Sequence, residues 1–198
     1  MTVSLHRGLP GHHRAAAAAL YWQAFGGKLG RVLGPDARAE AYLARVIDPH
    51  HAIHAEENGK LVGLAGFKSP SGALADGSLR DLAACYGWIG AGWRMALMMA
   101  LMREVDNHHF LIDGICVAPD CRGRGIGAAL VTALCSEAQS RGYEMVRLEV
   151  IDTNLRARAL YERLGFQVLR REKLGFLQHA FGFSEAIAMV RAINKGDR

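Results

Sequence analysis

Two short segments in the second half of the chain carry residues whose types and spacing suit the binding of an anionic ligand. Between Val117 and Ile126 the chain reads Ala-Pro-Asp-Cys-Arg-Gly-Arg-Gly. Glycine lets the backbone adopt positive φ and approach a ligand closely, and the start of a helix offers N–H groups without intrahelical partners. The segment therefore predicts a phosphate-binding turn, with Arg122 and Arg124 adding positive charge at its rim.

The second segment runs from Asn154 to Tyr161, with Ala157 and Leu160 between them. Seven residues at ~100° each come about 20° short of two helical turns. Asn154 and Tyr161 are therefore expected on one face of a helix, about 10 Å apart along its axis. The small Ala157 leaves room on that face for a thin ligand. In the other interpretation, Tyr161 is a core residue at the edge of an amphipathic helix.

The glycines also fit other interpretations. Gly123-x-Gly125-x-x-Ala128 matches a relaxed dinucleotide-binding pattern, and Glu149 follows about 20 residues on, as the acid of that pattern should. In the dinucleotide pattern, however, the first glycine follows its strand almost directly and usually opens the domain. Here five residues separate the two, and about half of the chain comes first. A purely structural glycine-rich turn is a third possibility.

Hydrophobic periodicity and turn residues predict the elements that position these segments. From residue 110 onward, strands alternate with helices, which argues for crossover units on a mainly parallel or mixed sheet. The predicted strands there are 111–117, 145–151, 166–169 and 183–190, and the predicted helices are 126–141 and 154–165. Gly142 is placed to cap the first of these helices.

The first half of the chain is predicted to supply a hairpin and several helices. The Asn58-Gly59 pair is a strong signal for a tight turn between two strands. The predicted elements are strands 2–9, 51–56 and 61–67, helices 14–25 and 37–47, a loop over 69–78 and a helical insertion at about 79–106.

Composition indicates an ordinary globular protein. A length of 198 residues suits one domain, and 51% of the residues are hydrophobic. The net charge of +5 is spread evenly, without a basic arm, so neither a nucleic-acid nor a membrane partner is expected. The longest weakly polar run is too short and too polar to span a bilayer, and no export signal is indicated. The four cysteines form no C-x-x-C pair, which favours buried thiols in the cytoplasm.

Arg122-x-x-Gly125-x-Gly127 at a strand-to-helix turn, together with Asn154-x-x-Ala157-x-x-Leu160-Tyr161 on the next helix, resembles the GNAT superfamily of acetyl-CoA-dependent N-acetyltransferases. The resemblance covers roughly residues 112–168. It implies one α/β domain over 1–198, with a mixed, mostly antiparallel central sheet flanked by helices. That sheet would be splayed between the strands near 111–117 and 145–151.

The resemblance also implies a binding site for acetyl-CoA as cosubstrate. Backbone groups of residues 115–117 would align the pantetheine, N–H groups of residues 122–128 would hold the pyrophosphate, and Asn154 would contact the pantetheine arm. The cofactor-binding residues so implied are Ile115, Cys116, Val117, Arg122, Gly123, Arg124, Gly125, Ile126, Gly127, Ala128 and Asn154.

Tyr161 fits the catalytic role that the resemblance implies. Attack by an amine on the thioester expels a thiolate, which needs a proton. A phenol with an ordinary pKa of about 10 is protonated at neutral pH, so Tyr161 is the expected general acid. The base is less specified: Asp113 shares strand parity with Ile115 and Val117 and is the first candidate. The other possible bases or water-holding residues are Glu56, Glu57, His108, His109 and Glu149.

No metal site is expected, because neither the pair His50-His51 with His54 nor the pair His108-His109 is completed by a carboxylate or cysteine at a known spacing. The predicted function is transfer of acetyl from acetyl-CoA to a primary amine by direct attack. The acceptor is left open as a small molecule, a peptide N-terminus or a lysine. The alternatives are a non-catalytic acyl-CoA-binding sensor and a dinucleotide-binding oxidoreductase.

Overall fold

The computed structural model describes residues 2–101, 109–175 and 178–193. In these ranges, helices cover both faces of one open sheet. The strands are β1 (Ser4–Arg7), β2 (Ala52–Glu57), β3 (Lys60–Ser69), β4 (Gly72–Ala73), β5 (Phe110–Val117), β6 (Met145–Ile151), β7 (Gln167–Lys173) and β8 (Glu185–Ala192). The α-helices are α1 (Arg14–Leu33), α2 (Asp36–Val46), α3 (Leu79–Leu101), α4 (Ile126–Ser140), α5 (Leu155–Arg163) and α6 (Gln178–Phe181).

The sheet is mixed and mostly antiparallel, as the resemblance implies. Its strand order is β1-β2-β3-β5-β6-β8-β7, and β4 pairs with β3. The pair β5 and β6 is parallel, and the other described pairs are antiparallel. A mainly parallel sheet is therefore wrong, because α4 is the one helix that crosses over between neighbouring parallel strands.

Alternating side chains divide the core into two layers. On β2, Ile53 and Ala55 belong to the cluster that contains the buried face of α4 and Tyr161 of α5. Ala52 of the same strand belongs to the cluster formed with α1, α2 and α3. Successive strand residues point to opposite faces, so each face of the sheet is covered by its own helices.

The β2–β3 hairpin confirms the predicted turn. Asn58 and Gly59 have φ of 52° and 75°, and such a pair of positive φ values is typical of the type I′ turns that Asn-Gly favours. Gly142, with φ of 81°, follows the end of α4 as predicted.

Helix α1 is eight residues longer than its predicted end at Phe25. Gly26, Gly27 and Gly30 do not interrupt it, because the packed apolar face continues to Leu33, which is buried. The predicted insertion forms α3, bent where Gly87 takes a φ of 69°. Its last predicted residues, 102–106, lie outside the described residues. No helix in the described ranges is long and apolar enough to cross a bilayer.

Candidate active site

The seam between β5 and β6 opens into a cleft. The two strands pair at Phe110 with Val146 and at Leu111 with Arg147, and no further described residue is paired across this seam. Beyond that point β5 stays paired to β3 as far as Val117. Because the strands are parallel and diverge, the cleft opens at their C-terminal ends. This confirms the predicted splay and leaves one backbone edge of each strand available to a ligand.

The glycine turn, residues 122–128, follows the C-terminal end of β5, where the cleft is widest. Gly123 and Gly125 have φ of +84° and +81°, and a Cβ at either position would meet no atom within 4 Å. The glycines are therefore required by backbone conformation rather than by crowding. Gly125 is the N-cap of α4 without a side-chain capping bond. None of the N–H groups of residues 123–128 donates a hydrogen bond within the described part of the chain.

The two arginines of the turn have different partners. Arg122 donates from Nε to the carbonyl oxygen of Val117 at 3.1 Å, so its side chain ties the turn back to β5. Arg124 makes a two-bond ion pair with Glu57 at the end of β2, with N–O distances of 2.9 and 2.5 Å. Hydrogen bonds from Arg124 hold the pKa of Glu57 below its usual range. The charge of Arg124 is thus partly neutralised at the rim where it was expected to act.

Helix α5 meets the glycine turn where Leu160 faces Gly127. Asn154 is the N-cap of α5, and its side-chain oxygen accepts a hydrogen bond from the N–H of Ala157 at 3.1 Å. Its exposed amide group keeps the donor side of its chemistry available. A Cβ on Gly127 would lie 3.4 Å from Cδ2 of Leu160 and 3.9 Å from Cγ2 of Val117. The turn, α5 and the end of β5 therefore come together at one place.

Tyr161 is buried in the cluster under α4, with 8% of its surface exposed. Its ring lies 5.9 Å from the ring of Phe166. Its hydroxyl forms no hydrogen bond with any described residue. Burial raises the pKa of Tyr161 to about 12. The side chain is therefore packed as a core residue is. Its O–H bonds to no described residue and can donate to a ligand, so the structure is compatible with the core interpretation and with the ligand-facing one.

Asp113 stands at a bulge in β5. The register moves from Gly66 opposite Gly114 to Phe67 opposite Ile112, which leaves Asp113 without a partner of its own on β3. Its Oδ1 lies 3.5 Å from Nζ of Lys68. Its Oδ2 is buried and has no hydrogen-bond partner among the described residues. A buried carboxylate oxygen without a donor is costly, so this atom is a natural place for a polar ligand group.

Two aromatic residues of α1 cover the bulge. The rings of Tyr21 and Phe25 lie 4.4 Å apart, and a Cβ on Gly114 would come within 2.8 Å of Cζ of Phe25. Burial first, and then the charge of Asp113, raise the pKa of Tyr21 well above its ordinary value. Sequence reasoning missed both residues, although their i, i+4 spacing is a signal that they share one face of α1.

The other predicted bases have partners elsewhere. Glu56 contacts His13, Glu57 pairs with Arg124, and Glu149 accepts from Arg147 at 3.0 Å. His109 directly precedes β5. His108 lies outside the described residues. Asp113 lies on β5 itself, just beyond the last residue that pairs with β6.

The histidines considered for a metal separate into different surroundings. His51 contacts Oδ2 of Asp48 through Nδ1 at 2.7 Å and Oγ of Ser69 through Nε2 at 2.8 Å. His50 is exposed. His54 contacts the carbonyl oxygen of Gly8 through Nδ1 at 2.7 Å. The three residues therefore do not form one site, although they are near neighbours in the sequence.

Comparison with known proteins gives one matching family model. The acetyltransferase (GNAT) family model matches residues 15–166. A thialysine N-epsilon-acetyltransferase of Bos taurus is 40% identical over 63 residues, which are 32% of this chain and 37% of that protein. An Escherichia coli K12 N-acetyltransferase of the ribosomal protein bS18 alanine is 46% identical over 82 residues, 40% of this chain and 53% of that protein. The chain thus matches about half or less of these relatives' lengths.

The solved structures agree on the fold. A Salmonella typhimurium protein solved with its cofactor acetyl-CoA superposes with a TM-score of 0.57, covering 98% of this chain and 96% of that chain at 17% sequence identity. At that identity the likeness concerns the overall fold rather than any individual side chain.

Proposed function

The chain belongs to the GNAT acetyltransferase family, and on that premise we propose that it transfers the acetyl group of acetyl-CoA directly to a primary amine. The observation that carries the proposal is the coincidence of two features at one place. Unpaired N–H groups of residues 123–128 lie at the wide end of a splayed strand pair. The N–H groups suit a diphosphate. The splayed strand pair offers a backbone edge to an extended arm that contains amide groups.

The residues present fit acetyl-CoA. The proposal assigns the pyrophosphate to the N–H groups of the glycine turn, and the pantetheine arm to the free edge of β5 and the amide of Asn154. The residues in this role are Ile115, Cys116, Val117, Arg122, Gly123, Arg124, Gly125, Ile126, Gly127, Ala128 and Asn154. Arg124 contributes chiefly its N–H, because Glu57 already holds its guanidinium.

Acetyl-CoA supplies a thioester whose carbonyl carbon the amine attacks, with the CoA thiolate as leaving group. In the proposal, N–H groups on the free edge of β5 stabilise negative charge that develops on the thioester oxygen. Tyr161 donates the proton of its O–H to the departing sulfur. Since the pKa of Tyr161 is raised to about 12, the phenol stays protonated throughout the neutral range, as a general acid must.

Asp113 is the proposed anchor for the incoming amine. Its buried Oδ2 lacks a donor, and an ammonium or amine N–H would supply one. As a carboxylate it attracts the protonated amine and accepts a proton from it before attack. Tyr21 and Phe25 form the apolar cover beside it. The acceptor itself is proposed only as an amine-bearing small molecule, a peptide N-terminus or a lysine.

A cytoplasmic location is part of the proposal. None of the four cysteines, all of which lie in the described ranges, is in a disulfide, and three of them, Cys116, Cys121 and Cys135, are buried. Thiols of this kind are usual in a reducing compartment. The proposed partners are acetyl-CoA and the amine, and neither a nucleic acid nor a membrane surface is included.

The test is release of CoA on mixing the protein with acetyl-CoA and a panel of amines, in wild type and in Tyr161→Phe. Removing the hydroxyl should lower kcat about a hundredfold, the low end for general acid catalysis, while acetyl-CoA affinity stays within a few-fold. Tyr143→Phe is the matched control, because Tyr143 is a partly buried tyrosine that contacts Phe110 instead of α5.

Equal activity of Tyr161→Phe and wild type would remove Tyr161 from the reaction. Acetyl-CoA binding without CoA release for any amine would favour the sensor instead of the enzyme. A thermal shift with nicotinamide dinucleotides but not with acetyl-CoA would favour the oxidoreductase.

A further inference from the structure

Four histidines and one glutamate gather at the edge of the sheet, where the start of α1 crosses β2. The pairing of β1 with β2 sets His6 opposite His54 and Ser4 opposite Glu56. The short 3-10 helix Gly11–His13 then brings His12 and His13 over the same strand. We name His12, His13, His54 and Glu56 the histidine cluster. Glu56 precedes Glu57, which pairs with Arg124 of the glycine turn, but no catalytic role in the proposed function uses the cluster.

The polar atoms of the cluster converge on the carboxylate. Nε2 of His13 lies 2.9 Å from Oε2 of Glu56, and Nε2 of His54 lies 3.9 Å from the same oxygen. One ligand atom each of His12, His13 and Glu56 lies within 4.8 Å of the other two. His13 and His54 are buried, with 4% and 2% of their surfaces exposed, whereas His12 is exposed. The two buried imidazoles are therefore held by packing, whereas the exposed side chain of His12 can rotate toward an ion.

The hydrogen bond of His54 fixes which of its ring nitrogens faces the cluster. Nδ1 lies 2.7 Å from the carbonyl oxygen of Gly8, which can only accept, so Nδ1 carries the proton. Nε2 then faces Glu56 at 3.9 Å, beyond hydrogen-bond distance. Imidazoles that bind metals are commonly oriented by such a bond from the other ring nitrogen to a carbonyl oxygen.

We propose that the histidine cluster binds one divalent transition-metal ion of the zinc class through His12, His13 and Glu56. Imidazole nitrogen and carboxylate oxygen are ligands that such ions accept. Two ligands about 2.0–2.2 Å from a tetrahedral ion lie ~3.3–3.6 Å apart. The 2.9 Å contact between His13 and Glu56 needs to widen by only a few tenths of an ångström. The ion takes the place of the hydrogen between His13 and Glu56: a neutral His13 takes that proton up on Nδ1, and an imidazolium releases it to solvent.

The ion would link the start of α1 to β2. Glu56 and His13 are 43 residues apart in sequence, and their shared ligand would hold the start of α1 against β2. His54 is the nearest remaining donor for a fourth position. The expectation of no metal site rested on sequence spacing, and the ligands of this cluster come from two elements whose approach only folding creates.

The experiment is calorimetric titration of Zn²⁺ into the full chain, free of any affinity tag and stripped with a chelator, with thermal unfolding measured in parallel. We expect one ion per chain and a higher Tm on binding, because an ion that binds only the folded state stabilises it. Glu56→Gln and His12→Ala should each weaken Zn²⁺ binding at least ~tenfold, the loss found even for outer residues of metal sites.

His50→Ala is the matched control, because His50 is exposed and lies outside the cluster. It should bind Zn²⁺ as the wild type does. His12→Ala removes an exposed side chain, so it tests the site even if Glu56→Gln fails to fold. Co²⁺ provides a spectroscopic check, since ligation by nitrogen and oxygen lacks the charge-transfer band of a thiolate.

Three results would overturn the proposal: no saturable heat with Zn²⁺, equal affinity in His12→Ala and His50→Ala, or a thiolate band with Co²⁺, which would assign the ion to a cysteine. None of these results bears on acetyl transfer.

Discussion

The glycine turn presents backbone N–H groups, whereas the bulge at Asp113, on the strand that leads to the turn, presents side chains. In the turn, the N–H groups of residues 123–128 donate to no group in the described ranges, and the two arginine side chains bond to Val117 and Glu57. At the bulge, the carboxylate of Asp113 and the rings of Tyr21 and Phe25 define the surroundings. A backbone site serves a constant ligand and tolerates most side chains. A side-chain site can change its ligand by substitution.

The largest effect should come from Gly125→Glu, which tests the backbone half. A carboxylate about 4 Å from a phosphate charge costs ~4 kcal/mol at an effective dielectric of 20, so acetyl-CoA affinity should fall about a thousandfold. Gly142→Glu is the matched control, because Gly142 also has a φ of +81° and open space around a Cβ. It carries the same backbone strain but should keep the thermal shift with acetyl-CoA. Equal loss in both variants would mean that strain, not phosphate binding, explains the glycine.

The side-chain half is tested by Asp113→Asn. If the carboxylate anchors and deprotonates the amine, kcat/KM for the amine should fall about a hundredfold, with acetyl-CoA affinity unchanged. Lys68→Met removes the same ion pair from its other end while leaving the carboxylate in place. It should therefore cost much less activity. Equal losses in steady-state assays of the two variants would show that the ion pair matters only for structure.

A smaller effect is expected at the rim of the glycine turn, where Glu57 pairs with Arg124. An exposed ion pair contributes little stability, about 0–1 kcal/mol. Glu57→Gln should leave the fold intact and free the guanidinium, so acetyl-CoA should bind a few-fold more tightly, and more so at low salt. Isothermal titration at two ionic strengths measures this. Weaker binding would instead show that Glu57 positions the glycine turn.

The smallest expected effect is the absence of an alkaline limb in the pH profile. Tyr161 acts in its protonated form, and burial raises its pKa to about 12, so no acid is lost between pH 7 and 10. Over that range the acceptor amine loses its proton, and kcat/KM should rise with pH. Rates measured with thermal unfolding at each pH separate chemistry from stability. A decline centred below about pH 10 would assign the proton donor to another group.

Local signals in the sequence determined the architecture around the turn. Asn58-Gly59, Gly142 and the glycines of residues 122–128 act through φ values that their own neighbours require, so short windows predicted them. The mixed, splayed sheet was predicted through the resemblance, because those windows are what the family shares. The roles of Tyr161 and Asp113 stay predictions, as does the single-domain organisation.

Tertiary structure alone decided which side chains meet. Glu57 reaches Arg124 across 67 residues, Tyr21 covers Asp113 from another element, and Glu56 joins His13 rather than the neighbouring His51. A strand places alternate residues on opposite faces, so Glu56 and Glu57, adjacent in sequence, serve different sites. Spacing along the chain does not predict such contacts, because they depend on how the strands pair and on which helix packs over each face of the sheet.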